Sequence, residues 1–309
     1  MRKNLTKKLF LSVLTLAFAV ISLGASTYAW FVLSEDANVE AFSGTVQSGT
    51  SGLEIGVNLV GEDGPVQWRA TSLDLTADLA SIFTDFKFDA VQNANPLGAG
   101  EFQDINETAV AANGSTGKYL AFELYFRLAD TNTSTGAESV YLTDYSMQTT
   151  GAENWFVNKT YKDANGDDVA VAAENVKYYV SDAARIAIVG ADADHSLYLE
   201  THTYAGTDDK FQSEGKQSNG ALSYYNAINS DATKSLPDSY ENPTYGVTTK
   251  YDGKTSICEL VAAVSEGDPN YEGSVVVYIW IDGWDGECIN AIFGQTLTID
   301  FKFSLNPKA

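Results

Sequence analysis

Val275-Val276-Val277-Tyr278-Ile279-Trp280-Ile281 is apolar at every position, and a run of β-branched and aromatic residues of this length reads as a strand covered on both faces. A second strand follows after an acidic turn. Leu297, Ile299, Phe301, Phe303 and Leu305 alternate with Thr296, Thr298, Asp300, Lys302 and Ser304, so one face is apolar and the other polar. Asp282-Gly283-Trp284-Asp285-Gly286 between them is turn chemistry, with Gly where positive φ is needed, and Glu287 to Ile292 is expected to add one helical turn. A strand buried on two sides beside one buried on one side belongs near the centre of a β-sandwich or jelly roll.

Working outward, the same alternation recurs. Leu120, Phe122, Leu124, Phe126 and Leu128 face one way, with Tyr119, Glu123, Tyr125 and Arg127 opposite. Leu53, Ile55, Val57 and Leu59 repeat the pattern and end in the turn Gly61-Glu62-Asp63-Gly64-Pro65. Asn165-Gly166 marks a hairpin over Tyr161 to Val171. Shorter strands are expected at Phe86–Phe88, Val140–Leu142, Trp155–Val157, Val176–Val180, Arg185–Val189 and Leu197–Thr203. Short helices are expected within Leu73–Phe83 and Ala221–Ile228, and Ile257–Val264 reads equally as helix or buried strand. Asn93–Gly117 and Asn229–Gly253 read as long loops. The sum predicts an all-β chain: one large sandwich or jelly roll with long loops and a few short helices.

The N-terminus points to export. Arg2, Lys3, Lys7 and Lys8 precede an uncharged apolar run, Leu9 to Leu23, and then Gly24-Ala25-Ser26-Thr27-Tyr28-Ala29. That order is a signal peptide with cleavage between Ala29 and Trp30, giving residues 1–29 as signal and 30–309 as an extracellular domain. The alternative is an uncleaved membrane anchor, since the apolar character extends to Leu33. Either way the protein is expected to be secreted or at the cell surface, touching a membrane only through that segment. Cleavage removes four cations, which takes the net charge from −22 to −26. Such an acidic chain excludes nucleic acid and favours cationic partners. Two cysteines, Cys258 and Cys288, read either as one disulfide or as two buried thiols.

Catalytic constellations are missing from the sequence. His195 and His202 are the only histidines, seven residues apart and so on opposite faces of a strand. No His-Glu-x-x-His run, Gly-x-Ser-x-Gly elbow or phosphate-binding Gly loop occurs. No catalytic, cofactor-binding or metal residue is assigned, and the protein is expected not to be an enzyme. Calcium is the one cofactor with any sequence signal. Asp163, Asn165, Asp167 and Glu174 are spaced like EF-hand ligands, but Asp168 stands where the tight turn needs Gly. Asp282, Asp285 and Glu287 form a second acidic cluster. In both places the turn reading is preferred.

Gly24-Ala25-Ser26-Thr27-Tyr28-Ala29-Trp30-Phe31 resembles the export signal of the TasA/camelysin family of Gram-positive bacteria, whose signal is cut by a peptidase of the SipW type. Ala41-Phe42-Ser43-Gly44-Thr45-Val46 with Leu53-Glu54-Ile55 is similar to that family's first mature strand. Leu297-Thr298-Ile299-Asp300-Phe301-Lys302-Phe303 is similar to its last. The resemblance covers about a quarter of the chain. It implies a jelly roll that polymerises into biofilm-matrix fibres by passing an N-terminal strand, here within Phe31–Gly44, to the next subunit. Self-association, with other matrix or cell-wall components as further partners, is therefore the expectation. A cell-surface module binding carbohydrate or protein is the alternative.

Overall fold

The computed structural model describes residues 41–49, 52–65, 67–83, 85–93, 95–98, 101–104, 107–128, 138–163, 166–171, 176–200, 220–229, 235, 251–262 and 271–309. Among these, fourteen strands dominate: β1 (Ala41–Ser48), β2 (Leu53–Asn58), β3 (Trp68–Arg69), β4 (Ser72–Asp74), β5 (Ala90–Val91), β6 (Leu120–Leu128), β7 (Glu138–Thr150), β8 (Tyr161–Lys162), β9 (Asp168–Val169), β10 (Ala184–Val189), β11 (Leu197–Leu199), β12 (Ser256–Ala262), β13 (Tyr271–Asp282) and β14 (Thr296–Ser304). Twelve of them form one sheet in the order β3-β2-β6-β13-β12-β7-β14-β1-β4, with β10 and β5 attached to β13 and β11 attached to β10. The two ends of that order, β3 and β4, are consecutive in the chain. The sheet therefore doubles back on itself into a nearly closed sandwich, and the all-β expectation holds.

β13 is the hub. β6 runs antiparallel along Glu272–Ile279 on one edge, while β10 takes Val276–Ile281 and β12 takes Tyr271–Glu272 on the other. Val275, Val277, Ile279 and Ile281 are buried against the sandwich interior, together with Leu120, Phe122, Leu124 and Phe126 of β6 and Leu297, Ile299, Phe301 and Phe303 of β14. The alternate residues of β13 face outward. There Trp280 is buried in a second, smaller apolar cluster with Val91, Phe102, Ala187 and Tyr198. The apolar run of β13 is thus explained: the strand has a core on each side.

Several elements differ from expectation. Leu73–Phe83 is not one helix. Leu73 pairs with Val46 as part of β4, and the Asp74 carboxylate caps the N–H groups of Thr76 and Ala77, starting the helical turns Leu75–Asp78 and Ala80–Phe83. Phe86 and Phe88 are buried and meet edge to face, but the strand begins only at Ala90. Val176–Val180 contributes one bridge, Val176 to Trp155, before a helical turn at Val180–Ala183 whose first N–H is taken by Gln295. Ser256–Ala262 is a strand, held between β7 and β13. The helix Ala221–Ile228 and the hairpin β8–β9 form as read. Gly220 opens that helix with φ +60, and a Cβ there would overlap the Gly286 carbonyl, so only Gly allows the helix to sit on the acidic turn.

Phe122 is fully buried, whereas Phe156 is 70 % exposed. Phe122→Ala is expected to lower the unfolding free energy by about 3–5 kcal/mol, and Phe156→Ala by under about 0.5 kcal/mol, in urea titrations.

Candidate functional site

The first described strand has an unusual seat. β1 lies parallel to β14, with Ala41 opposite Thr296 and Ser48 opposite Phe303, while β4 covers only Thr45–Gln47 on its other edge. Val46 is fully buried in the core. A polar clamp fixes the register: the Thr45 hydroxyl donates to one Asp300 carboxylate oxygen at 2.5 Å, and Ser146 of β7 donates to the other at 3.2 Å. Beyond Ser48, the Gly49 N–H donates to the Phe303 carbonyl at 2.6 Å. Ala41–Gly44 are therefore part of the sheet. Residues 31–40, like the signal segment with Ala29 and Trp30, lie outside the described residues.

The acidic cluster Asp282, Asp285 and Glu287 proves to be built around an internal cation. Arg185 on β10 is the register partner of Trp280 and is buried. Its Nη2 donates to the buried Asp285 carboxylate, and its Nη1 donates to the carbonyls of Asp182 and Ala184 at 2.8 and 2.9 Å. Its Nε lies 3.1 Å from Glu200, close enough for charge attraction, but that N–H is not aimed at the carboxylate. The remaining oxygens serve the turn: Asp282 accepts from the Trp284 N–H and Asp285 from the Glu287 N–H. Burial opposes the Arg185 charge, yet Glu200 and Asp285 outweigh it and hold its pKa well above the ordinary value. Burial also pushes Glu200 up to about 7, against the pull of Arg185. Asp182 is raised by burial as well, with Asp285 adding to the rise and Arg185 opposing it.

This network is a structural knot with one cation among several buried acids. Removing one partner of such a group is costly because the other charge stays buried. The sequence singled out the three acids of the turn but missed Arg185, Asp182 and Glu200. One signal was present: Arg185 opens the otherwise apolar run Ile186-Ala187-Ile188-Val189, and a cation inside a strand buried on both faces requires an anion.

The other predicted positions separate. Cys258 on β12 and Cys288 beyond the turn are both buried free thiols. Cys258 packs near Gly273 at the start of β13, whereas Cys288 bonds back to Asp285 past its end. Gly273 to Asp282 spans on the order of 30 Å of strand, far more than the roughly 7 Å between Cα atoms that a disulfide permits. Burial raises the pKa of both, Cys258 to about 12. In the hairpin loop Asp163 accepts from the Asp167 N–H, and Asp168 pairs with Lys162 at 3.0 Å, so two of the acids are engaged locally. Asn165 and Glu174 lie outside the described residues. Among the described residues no group of three or more His, Cys, Asp or Glu is arranged to hold a metal ion. His195 bonds Asp192 at 2.7 Å, and His202 lies outside the described residues.

No protein-family model, curated protein or solved structure matches this chain.

Two outcomes follow from the buried groups. The folded-state pKa of Glu200 is raised above its unfolded value, so its contribution favours the fold below about pH 4.5 and is lost as pH rises through about 7. Glu200→Gln is expected to flatten the fall in stability measured by urea titration over that window, with the largest gain relative to wild type at pH 8. The native protein is also expected to show no thiol reactive toward a water-soluble disulfide reagent, and two after denaturation in guanidinium.

Proposed function

We propose that this chain is an extracellular, non-enzymatic structural protein, of the kind the TasA/camelysin resemblance implies, that self-associates by passing its first strand to a neighbouring copy. The observation that carries this reading is the pairing of β1 with β14. The two segments that resemble the family's first and last strands, Ala41–Val46 and Leu297–Phe303, are parallel neighbours in the sheet. A strand that fills a slot beside the last described strand can be supplied by its own chain or by another, with the same ladder, the same buried Val46 and the same Thr45–Asp300 bond. The tether to β2 is only Gly49-Thr50-Ser51-Gly52, a short Gly-containing hinge of the sort across which strands are exchanged. Nothing in the ladder distinguishes the two partners, so the balance is set by the hinge, by concentration and by charge.

Charge opposes assembly. Copies that each carry a net −22, or −26 once the signal is removed, repel one another, and salt, divalent cations or acidification toward the isoelectric point near 4.2 relieve that repulsion. Cationic cell-wall or matrix components would act in the same direction. Monomers are expected at neutral pH and low salt, and longer assemblies under the other conditions.

The test uses the clamp. Thr45→Cys in one preparation and Asp300→Cys in another are mixed under assembling conditions and oxidised. A disulfide-linked heterodimer on a non-reducing gel is expected, because each new cysteine meets the other only when β1 of one copy lies on β14 of the next. Electron microscopy of the wild type should show linear polymers in the same buffer. Monomeric wild type in every buffer, together with no heterodimer, would overturn the proposal.

A further inference from the structure

Outside the sandwich, on the outer face of β13 and away from β1, the chain forms a cavity of about 260 Å³ lined by Asn93, Glu101, Phe102, Val110, Tyr119 and Tyr278, among others. We propose that this cavity is a carbohydrate site that takes a single non-acidic pyranose ring. The proposal stands apart from the strand-exchange reading and shares no residue with it.

The strands make the room. Tyr278 faces outward between Ala121 of β6 and Ala187 of β10, its register partners, so two small side chains flank it where larger ones would fill the space. Gln92 bridges to Gln103 and Gln103 to Ala109, and Ala112 bridges to Tyr119. Phe102 supplies the backing. It is buried, stacks on Tyr119 at 3.9 Å between centroids and meets Trp280 edge-on at 5.3 Å. Both tyrosines are only half-buried, and neither hydroxyl has a hydrogen-bond partner among the described residues. Burial raises the pKa of both, so both stay neutral donors at physiological pH.

The choice of ligand class follows from these groups. An apolar molecule would strand two phenol hydroxyls and the Glu101 carboxylate without water. A cage for an organic cation needs several ring faces turned toward one point, and here Phe102 and Tyr119 spend one face each on the other. A pyranose meets what is left: an apolar C–H face for a ring, and hydroxyls for the two phenols and the Glu101 carboxylate. The volume admits one ring, so the ligand is either a free monosaccharide or the end of a glycan chain. Glu101 is exposed, carries no ion pair among the described residues and belongs to a strongly acidic protein. It excludes uronic acids and other anionic sugars by like-charge repulsion.

Saturation-transfer NMR on the full chain, with methyl glucoside, glucosamine and glucuronate as probes at millimolar concentration, tests this. Methyl glucoside and glucosamine should show transfer concentrated on one face of the ring, and glucuronate little or none. Tyr119→Phe and Tyr278→Phe remove only a hydroxyl and should weaken binding roughly 5- to 10-fold each with unchanged melting temperature. Glu101→Gln should raise glucuronate binding toward that of methyl glucoside. A short β-linked glucan tested alongside separates the sources: transfer to its terminal residue alone identifies chain ends as ligands, and binding of the monosaccharides alone identifies the free sugar. Silence from every probe, transfer that persists in the Tyr119→Phe/Tyr278→Phe double variant, or glucuronate binding as well as methyl glucoside would overturn the assignment.

Discussion

β13 must be covered on both faces, and most of the architecture answers that demand. Its inward residues are buried by the opposing layer of the sandwich, chiefly through β14 and β6. Its outward residues would leave Trp280 in water unless something lay over them, and Phe102, Tyr198 and Val91 do so. Burying an indole and its aromatic neighbours is worth several kcal/mol, enough to order loops that have little secondary structure of their own. Phe102, with Leu97 and Val110 packed against the same cluster, covers the second core, and the cavity beside Tyr278 borders it.

The same outward face explains the ionic knot. Arg185 is the cross-strand partner of Trp280, and the sheet that buries one buries the other. A guanidinium in that position needs carboxylates, and the turn after β13 delivers Asp285 while β11 leads to Glu200. More acids gather than one cation neutralises, so some hold protons at pH values where an exposed carboxylate would be ionised. The cluster that looks like a cation site in the sequence is filled from within. This arrangement ties the end of β13, the start of β10 and the end of β11 to one point, and it makes the fold less stable toward alkaline pH.

At the opposite layer the constraint is of another kind. β1 is held by ladders to β14 and β4, by the Thr45–Asp300 clamp and by the deeply buried Val46, and four residues separate it from β2 in the chain. Long β7 and β14 pair along almost their whole length without it. β1, the first described strand, has ladders only to β14 and β4, whereas β13 has ladders to β5, β6, β10 and β12. That asymmetry underlies the proposal that subunits exchange it.

How much could be read beforehand varies with the kind of interaction. Alternation in Leu120–Leu128 and Leu297–Phe303, and the unbroken apolar run of Val275–Ile281, determined strand identity and face, because side chains in a strand alternate whatever their neighbours are. Capping chemistry was less legible: Asp74 started a helix inside what looked like a longer one, and Leu73 left that helix for a strand partner far away in sequence. Ile257–Val264 reads either way for the same reason, since a short apolar run becomes a strand only when β7 and β13 offer it ladders. The sequence could name Cys258, Cys288, Asp282, Asp285 and Glu287 as candidates, but not who meets whom. Only the tertiary structure set the two thiols at opposite ends of β13, brought Arg185 among the acids, and laid Phe102 against Tyr119. Those outcomes depend on register between distant strands, and register is a property of the whole sheet rather than of any window along the chain.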